Sequence, residues 1–530
     1  MRKAFLGVLV VLMAGCGAGT VPSSNSGGEA PAELKLAVRG ESEDGYDPTL
    51  GWGRYGSPLF QSTLLRRNAD LEIVNDLATG YEVSDDGLVW TVRLRDDATF
   101  TDGTPVTAKD VAYTFTTASR SGGLTDVTVL DTATEVDEYA VELRLKQPQS
   151  TFLNRLITLG IVPAHLHGDG YARNPVGSGP FKMVRWDEGQ QMVVEANPDY
   201  YGEKPAFQRI VFLFTDEDAT LALAKAGQVH IASLPQNLAS QQITGMELVA
   251  VASVDNRGIM MPWEPANGRT TEEGYPIGNA VTSNLAVRQA VNLAVDRRSL
   301  VSGILDGHGN PAIGPVDGLP WFEPQSAVED NRVDEAKRIL SEDGWEDRDG
   351  DGIVERDGVP ARFTLVYPAD DTTRQGLALT AAQMVKRAGV QIDVQGLSWS
   401  EIEKRMHTDA VLFGWGSHDQ TEMYNLYHSR MGGTGFYNTG FYVSPPVDGY
   451  MDAALGATDP EEANVLWRAA QFDGKGAGFG ASADAVWAWL VNLDHTYLVD
   501  ECLDVGKPQV EPHGHGYPIT AGITSWTWSC

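Results

Sequence analysis

The sequence predicts a mixed α/β fold with more than one domain. Segments that alternate apolar and polar residues, as strands do, are interspersed with segments of helical periodicity along the chain. The 530 residues exceed what one hydrophobic core ordinarily serves, so two or three domains are expected. A hydrophobic content of 42% is typical of a globular protein.

The predicted elements follow in chain order. Residues 88–94 (LVWTVRL) alternate as in a half-buried strand, and Thr107 is placed to cap a helix that follows the turn at 102–105. The clearest helix is 286–295, where apolar residues recur at helical spacing along one face. Further strands are predicted at 34–38, 192–195, 210–214, 363–366, 392–394 and 411–415, and further helices at 218–225 and 377–388.

The N-terminus predicts export and a lipid anchor. Arg2 and Lys3 precede a short apolar run, and small residues then lead to Cys16, as in a secretory signal. The run is too short to span a bilayer, and the segment Leu-Met-Ala-Gly-Cys resembles a bacterial lipobox, whose cysteine is acylated. Residues 1–15 are therefore predicted to be a signal peptide, and residues 16–32 a lipidated cysteine with a flexible Gly/Ser-rich tether.

Charge, cysteine content and the absence of catalytic motifs narrow the range of possible functions. A formal net charge of −32 argues against binding nucleic acid or an anionic membrane surface, so contact with the membrane is expected only through the lipid. Cys502 and Cys530 remain after lipidation, and in an oxidising compartment either they pair or both are free. No serine-hydrolase elbow, zinc-protease motif or phosphate-binding loop occurs, so no enzyme is expected and no cofactor is required.

Several motifs resemble the peptide/nickel (family 5) extracellular solute-binding proteins of ABC importers. The motifs lie in the same order as in that family and cover nearly the whole mature chain. They are YEVSDDGLVWT at 81–91 with FTDGTPVTAKDV at 100–111, NPVGSGPF at 174–181 with NPDYY at 197–201, VRQAVNLAVDR at 287–297, and FGWG at 413–416.

The resemblance implies a two-lobed periplasmic-binding-protein-like fold with an extra third domain, mixed sheets and a hinge between the lobes. Ligand would be enclosed in the cleft. Lobe I is expected to be discontinuous (33–60, 169–265 and 491–530), with an extra domain at 61–168 and lobe II at 266–490.

The implied function is a receptor that captures a peptide or a nickel chelate and delivers it to an ABC permease and its ATPase. A monomer is expected, exported to the cell surface or to the periplasmic side of the membrane. The alternative is a secreted surface lipoprotein with hydrolase or chaperone-like activity on the same fold.

An acidic loop is a candidate calcium site. Asp347, Asp349 and Asp351 alternate with other residues and end at a glycine, a pattern that can wrap a hard cation in oxygen ligands. The twelfth position, however, is Gly358, where an EF-hand needs a bidentate glutamate. Structural calcium and an ordinary polar turn both remain open.

The C-terminal histidines are a candidate nickel site. His513 and His515 are separated by one glycine, and His495 precedes them. Imidazole is a common ligand for nickel, copper and zinc, and some nickel-type members of the family resemble this chain in a histidine-bearing C-terminal stretch. Exposed histidines that make ordinary hydrogen bonds are the alternative.

The peptide interpretation needs a carboxylate for the peptide's ammonium group. In peptide-binding relatives an acid follows the Gly-Trp-Gly strand closely, but here that position is His418, and Asp419 lies one residue later. A shifted loop would let Asp419 serve. Aromatic side chains are expected to wall the cleft, although core packing is the alternative for each; the candidates are Trp52, Trp263, Trp415, Tyr424 and Tyr427.

Overall fold

The computed structural model describes residues 30–38, 40–42, 44–56 and 58–530. The predicted signal peptide, Cys16 and most of the predicted tether lie outside these ranges. Within the described ranges, no helix combines the length and apolar character needed to cross a membrane.

The described residues form 21 strands, most of them short. They are β1 Leu34–Val38, β2 Leu65–Arg67, β3 Ile73–Asn75, β4 Ala78–Val83, β5 Val89–Leu94, β6 Leu130–Asp137, β7 Ala140–Leu145, β8 Phe181–Asp187, β9 Gln191–Ala196, β10 Arg209–Phe214, β11 Ile231–Leu234, β12 Met246–Met260, β13 Gly309–Pro311, β14 Glu355–Arg356, β15 Val359–Pro360, β16 Arg362–Pro368, β17 Gln391–Leu397, β18 Ala410–Trp415, β19 Trp487–Asp500, β20 Leu503–Asp504 and β21 Thr527–Trp528.

Over the same ranges, twelve α-helices and several short 3₁₀ segments connect the strands. The α-helices are α1 Ala108–Ser121, α2 Leu153–Thr158, α3 Glu217–Lys225, α4 Gln236–Ala239, α5 Leu285–Ala294, α6 Arg297–Ile304, α7 Val333–Glu342, α8 Thr372–Lys386, α9 Trp399–Arg405, α10 Thr421–Tyr427, α11 Pro445–Gly456 and α12 Pro460–Gln471. The 3₁₀ segments are Ser150–Phe152, Tyr171–Arg173, Pro324–Ser326, Ser429–Met431 and Pro518–Ser525.

The α/β prediction is confirmed, and its main sheet is mixed and continuous through both lobes. The strand order is β17-β16-β18-β12-β19-β11-β1-β10-β9-β8, with β13 added to β19. Strand β1 runs parallel to both neighbours, as does β16, whereas β12 and β19 pair antiparallel. Because β12 and β19 are 15 and 14 residues long, each contributes one half to lobe I and the other half to lobe II.

The ladder between β12 and β19 breaks where the chain passes from one lobe to the other. Ala252 faces Asp494, but the next aligned pair is Asn256 with Asn492, so three residues of β12 lie opposite one of β19. A bulge of this kind bends the strand and redirects a side chain out of the regular alternation. Asp255 is the last residue of the bulge.

Helices α5 and α8 pack on the lobe II half of the sheet. The predicted helix at 286–295 is confirmed as α5, capped by Asn284, whose side chain accepts from Val287 N. Its apolar stripe is buried in the lobe II core, where both Val287 and Val291 are fully buried. Helix α8 begins at the cap Asp371, which accepts from the backbone N–H of Arg374 at 2.8 Å.

A separate four-stranded sheet, β4-β5-β7-β6, lies within the range predicted for the extra domain. Helix α1 covers it and is capped at Thr107 by a capping box with Asp110, as expected from the sequence. Its own hydrophobic core includes Trp90 and Phe115. The domain limits predicted from the sequence stay a prediction.

The C-terminal segment passes beside the hinge and ends in lobe I. Cys502 and Cys530 form a disulfide with a Cα–Cα distance of 5.1 Å, within the usual range. Trp526 and Ile523 are buried in the lobe I core, so the segment is anchored by packing as well. Residues 511–515 consequently lie against the bulge of β12, where Val254 N donates to the Glu511 carbonyl at 2.8 Å.

Candidate ligand-binding site between the lobes

Asp255 is the centre of a buried polar cluster at the hinge. The bulge points its carboxylate into the protein, where the residue is only 2% exposed. Arg257 bonds to both oxygens, His495 Nε2 lies 3.0 Å from Oδ2, and His513 Nδ1 lies 2.6 Å from Oδ1. Arg257 and the two histidines hold the pKa of Asp255 well below its usual value despite desolvation. The carboxylate is therefore ionised and orients three side chains from three parts of the chain.

His495 lies between two carboxylates. Its Nδ1 donates to Glu511 Oε2 at 2.6 Å, and Asp255 takes the other ring nitrogen. Desolvation opposes protonation, but the bonds and charges of Asp255 and Glu511 outweigh it and raise the pKa of His495 to about 10. The ring is consequently an imidazolium at neutral pH, with both nitrogens occupied. Because both ring nitrogens donate to carboxylates, His495 has no lone pair for a metal in this arrangement and instead holds Asp255 and Glu511 in place.

His513 and His515 differ from His495 in charge, and His515 also differs from it in exposure. Desolvation lowers the pKa of His513, and lowers that of His515 to about 3, so both rings are neutral. Their ring centroids are 4.9 Å apart, and His515 stacks on Tyr55 at 5.7 Å. His515 keeps solvent-accessible surface despite its desolvation, as expected for a side chain that lines a cleft.

The free ring nitrogens of this pair are suited to a metal. His513 Nδ1 donates to Asp255, which leaves the Nε2 lone pair available. Across the described part of the chain, neither this Nε2 nor the ring of His515 has a hydrogen-bond partner. A carboxylate that fixes the far nitrogen of a histidine is the usual support for a metal ligand.

Two buried guanidinium groups lie beside the cluster. Arg257 pairs with Asp255, and Arg374 pairs with Asp371 through Nη1 at 2.6 Å. Both lie over Gly414 of β18, where a Cβ would come within 2.8 Å of Arg374 Nη2 and closer still to Arg257 Nη1. The Nε of each guanidinium lacks a partner among the described residues. The two guanidinium groups place positive charge beside the cluster, which favours an anionic ligand nearby.

The loop after the Gly-Trp-Gly strand is held by the extra domain. His418 is buried, its carbonyl accepts from Arg67 at 3.0 Å, and desolvation lowers its pKa to about 3. Asp419 Oδ2 accepts from Arg155 at 2.8 Å, a pair that is largely buried. The predicted ammonium anchor therefore already has a cation, and this pair joins the extra domain to lobe II.

The predicted aromatic residues do not converge on one place. Trp52 is buried in the lobe I core, Tyr427 stacks on Phe479 in the lobe II core, and Tyr424 stacks on His428. Trp263 packs against Tyr442. Ligand contact by these four stays a prediction.

Trp415 lies closer to the hinge cluster. It is half-buried at the end of β18 and lies 5.5 Å from the ring of Tyr437, and its indole Nε1 has no partner within the described residues. Tyr55 and Tyr437 also keep accessible surface. Of these rings, Tyr55 lies against the histidine pair, with its centroid 5.7 Å from that of His515 and 6.1 Å from that of His513.

The acidic loop is remote from this site. The carboxylates of Asp347, Asp349 and Asp351 come within 4.8 Å of one another, and all three residues are exposed. They accept backbone N–H bonds within the loop, for example from Gly350 and Gly352 to Asp347. Those bonds are what a polar turn requires, and nothing else in the described loop supports calcium.

Sequence reasoning missed Asp255, Arg257, Arg374, Glu511 and Tyr55. One signal was present: residues 255–257 place two charges within a strand that is otherwise largely apolar. Charged side chains in a strand that enters a core are rare unless paired, so they could have indicated a site. Nothing local to the sequence indicated which partners they would meet.

The sequence profile described as bacterial extracellular solute-binding proteins, family 5 Middle, matches residues 72–438. The chain belongs to this family. It is 35% identical to Protein XP55 of Streptomyces lividans, over 97% of this chain and 93% of that protein. It is 26% identical to the oligopeptide-binding protein AppA of Bacillus subtilis, over 76% of each.

Solved structures support the same two-lobed fold. NikZ from Campylobacter jejuni in complex with Ni(L-His) superposes with a TM-score of 0.81 at 23% identity, over 94% of this chain and 99% of NikZ. AppA from Bacillus subtilis in complex with a nonapeptide gives 0.73 at 24% identity, over 94% and 99%. At these identities the likeness concerns the fold alone.

Proposed function

We propose that this protein is the extracellular receptor of an ABC importer, which encloses its ligand between the lobes and delivers it to the permease and ATPase. Family membership and the two-lobed fold support this function. The hinge is built from β12 and β19, and residues from the N-terminal segment, both hinge strands, lobe II and the C-terminus meet around it. The receptor would be a monomer held at the outer face of the membrane by lipid on Cys16.

The cargo we propose is a nickel chelate of an amino-acid type. The observation that carries it is the pair His513 and His515, both neutral, with ring nitrogens that have no partner in the described residues. Two imidazoles can occupy only part of the coordination shell of nickel, so a small chelator would supply the remaining ligands. The positive charges of Arg257 and Arg374 beside the pair would favour a chelator that carries a carboxylate.

A peptide is the second candidate, favoured by relatives such as the oligopeptide-binding protein AppA. The cleft's aromatic rings could contact peptide side chains. Because Asp419 is paired with Arg155, the ammonium group of a peptide would need another carboxylate.

Isothermal titration calorimetry with nickel(II) plus L-histidine, set against a mixture of short peptides, tests the cargo. We expect the nickel complex to bind wild-type protein, and His513→Ala with His515→Ala to weaken it by at least about 100-fold, since both metal ligands are removed. His165→Ala, on the exposed surface of the extra domain, is the matched control. Unchanged affinity in the double variant would exclude this metal site. Turnover of a bound peptide would contradict a purely binding function.

A further inference from the structure

The extra domain is joined to lobe I by buried polar contacts. His167 Nε2 lies 2.9 Å from Asp47 Oδ2, and the two side chains are only 8% and 7% exposed. The other ring nitrogen of His167 lies 3.0 Å from the hydroxyl of Tyr113 in α1. At a second junction, Tyr201 packs on the core of the extra domain and donates to Asp76 Oδ1 at 2.6 Å. We therefore expect the extra domain and lobe I to move as one body.

The extra domain also contacts lobe II, on the other side of the hinge. Arg155 Nη2 donates to Asp419 Oδ2 at 2.8 Å. Arg67 Nη2 donates to the backbone carbonyl of His418 at 3.0 Å, and the same nitrogen donates to Asn154 Oδ1 at 2.8 Å within its own domain. Two arginines of one domain therefore bind consecutive residues in one loop of the other.

A further contact joins the same two parts of the molecule. Ser150 Oγ donates to the carbonyl of Ala454 in α11 at 2.7 Å. A Cβ at Gly87 would lie 2.9 Å from Thr458 Cγ2 and 3.2 Å from Pro148 Cβ, so the side chains of Thr458 and Pro148 are close together. This contact is uncharged, and it leaves the arginine pair as the charged part of the interface.

The bonds of the charged contact favour a modest net gain when it forms. Asp419 uses both oxygens, because Oδ1 accepts from Thr421 N at 2.9 Å while Oδ2 accepts from Arg155. The Nε of Arg155, in contrast, has no partner in the described part of the chain. Removing the pair from water costs free energy that the attraction must offset. A contact of modest strength can open again, which a receptor that delivers its ligand requires.

We propose that Arg67 and Arg155 form a latch that stabilises the closed cleft by binding the lobe II loop at His418 and Asp419. The chain passes between the lobes through β12 and β19, and the bulge of β12 marks a place where they can bend. Opening there would separate the extra domain from lobe II and expose both arginines to water. The latch therefore belongs to the closed state alone and favours it whichever ligand is enclosed. The proposal deepens the proposed receptor function and rests on it.

The latch should act on ligand release. A ligand enters while the cleft is open, when the arginines and the loop are apart, so loss of the latch should leave the association rate unchanged. A bound ligand leaves only after the cleft reopens, so loss of the latch should speed dissociation.

Chemical cross-linking measures the closed population without any ligand. Cysteines replace Pro148 and Thr458, and a short bismaleimide joins them while the extra domain and lobe II are in contact. In this cysteine background, Arg155→Met should slow cross-linking at least about tenfold, because Asp419 would be left without its cation in the closed state. A melting temperature equal to that of the background shows that the variant is folded.

A matched control and a second variant complete the design. Arg144→Met makes the same change in the same domain, but Arg144 pairs with Glu142 on an exposed surface, so cross-linking should keep its rate. Asp419→Asn removes the charged bond from the lobe II side and stays informative if Arg155→Met fails to fold. Since both changes remove one bond, the double variant should be no slower than the slower single variant. Additive effects would mean that the two residues act through different partners, which contradicts the latch.

Dissociation kinetics connect the latch to the proposed function. With nickel(II) plus L-histidine or tetra-alanine as probe, Arg155→Met should raise the dissociation rate at least about tenfold and leave the association rate within about twofold. If wild-type protein binds neither probe, the proposed function fails, and the cross-linking rates still decide the latch. If Arg155→Met and the cysteine background cross-link equally fast, or if neither cross-links, the latch is overturned, whatever the protein binds.

Discussion

Two groups of acidic residues in this protein could hold a positive charge, and they differ in burial: one group is exposed to water and the other is buried. Asp347, Asp349 and Asp351 lie together in one exposed loop, where backbone N–H groups of the loop occupy their oxygens. Asp255 and Glu511 are buried at the hinge, far apart in sequence, and hold His495 between them. The residues of the first group are close together in sequence, whereas those of the second group are brought together only by folding.

The difference shows why proximity in sequence is a poor guide to a working site. Water screens the charges of the exposed loop, so their mutual repulsion and any attraction to a cation are both small. At the hinge the low dielectric strengthens every charge pair, and each group determines the protonation of the next. Of the two regions, the hinge cluster is the one that carries neutral histidines with ring nitrogens that lack a partner in the described residues.

The largest effect is expected from His495→Ala. Removing the imidazolium leaves two buried carboxylates facing each other, which should lower the free energy of unfolding by about 3–5 kcal/mol. Urea denaturation measures this loss, and Asp349→Asn in the exposed loop is the matched comparison. Losses of similar size in the two variants would contradict the contrast between the regions.

The sequence predicted the fold class, and several of its elements are confirmed, because amphipathic periodicity is local. Helix α5 and the cap at Thr107 depend on residues within a few positions of each other. The site could be predicted only in part. His513 and His515 stood out as a pair, but Asp255 reaches His513 through a bulge whose register depends on β19.

The burial of individual side chains was the other property that the sequence could not predict. Trp52 and Trp415 were both expected in the wall of the cleft, yet the first packs in a core and the second lies beside the hinge strand β12. Likewise, no pattern indicated that Arg155 of the extra domain would pair with Asp419. Both outcomes depend on contacts between distant segments.

The next largest effect is expected from the disulfide. It closes a separation of 28 residues around the segment that carries Glu511 and His513. Cys502→Ser with Cys530→Ser should lower the free energy of unfolding by about 3 kcal/mol, since the unfolded chain regains its freedom. Thermal denaturation with and without a reductant checks this, and the reductant should leave the double variant unaffected.

Raising the pH should weaken the hinge cluster. The pKa of His495 is about 10 in the folded protein, above its ordinary value near 6.5, so its protonated form stabilises the fold. That contribution is complete below pH 6.5 and is lost as the pH rises towards 10, with a slope of at most about 1.4 kcal/mol per unit. Urea denaturation between pH 7 and pH 9 should show this slope in wild type. If His495→Gln shows the same slope, another group is responsible.

The smallest effect is expected at the acidic loop. Asp349→Asn removes an exposed charge whose Oδ1 accepts one backbone bond, from Asp351 N at 3.1 Å. Asparagine keeps an acceptor at that position, so the free energy of unfolding should change by less than about 0.5 kcal/mol. Millimolar calcium should likewise leave the melting temperature of wild type unchanged, because the carboxylates already serve the loop's own N–H groups. A calcium-dependent rise in melting temperature that Asp349→Asn abolishes would instead make this loop a second working cation site, formed by sequence neighbours alone.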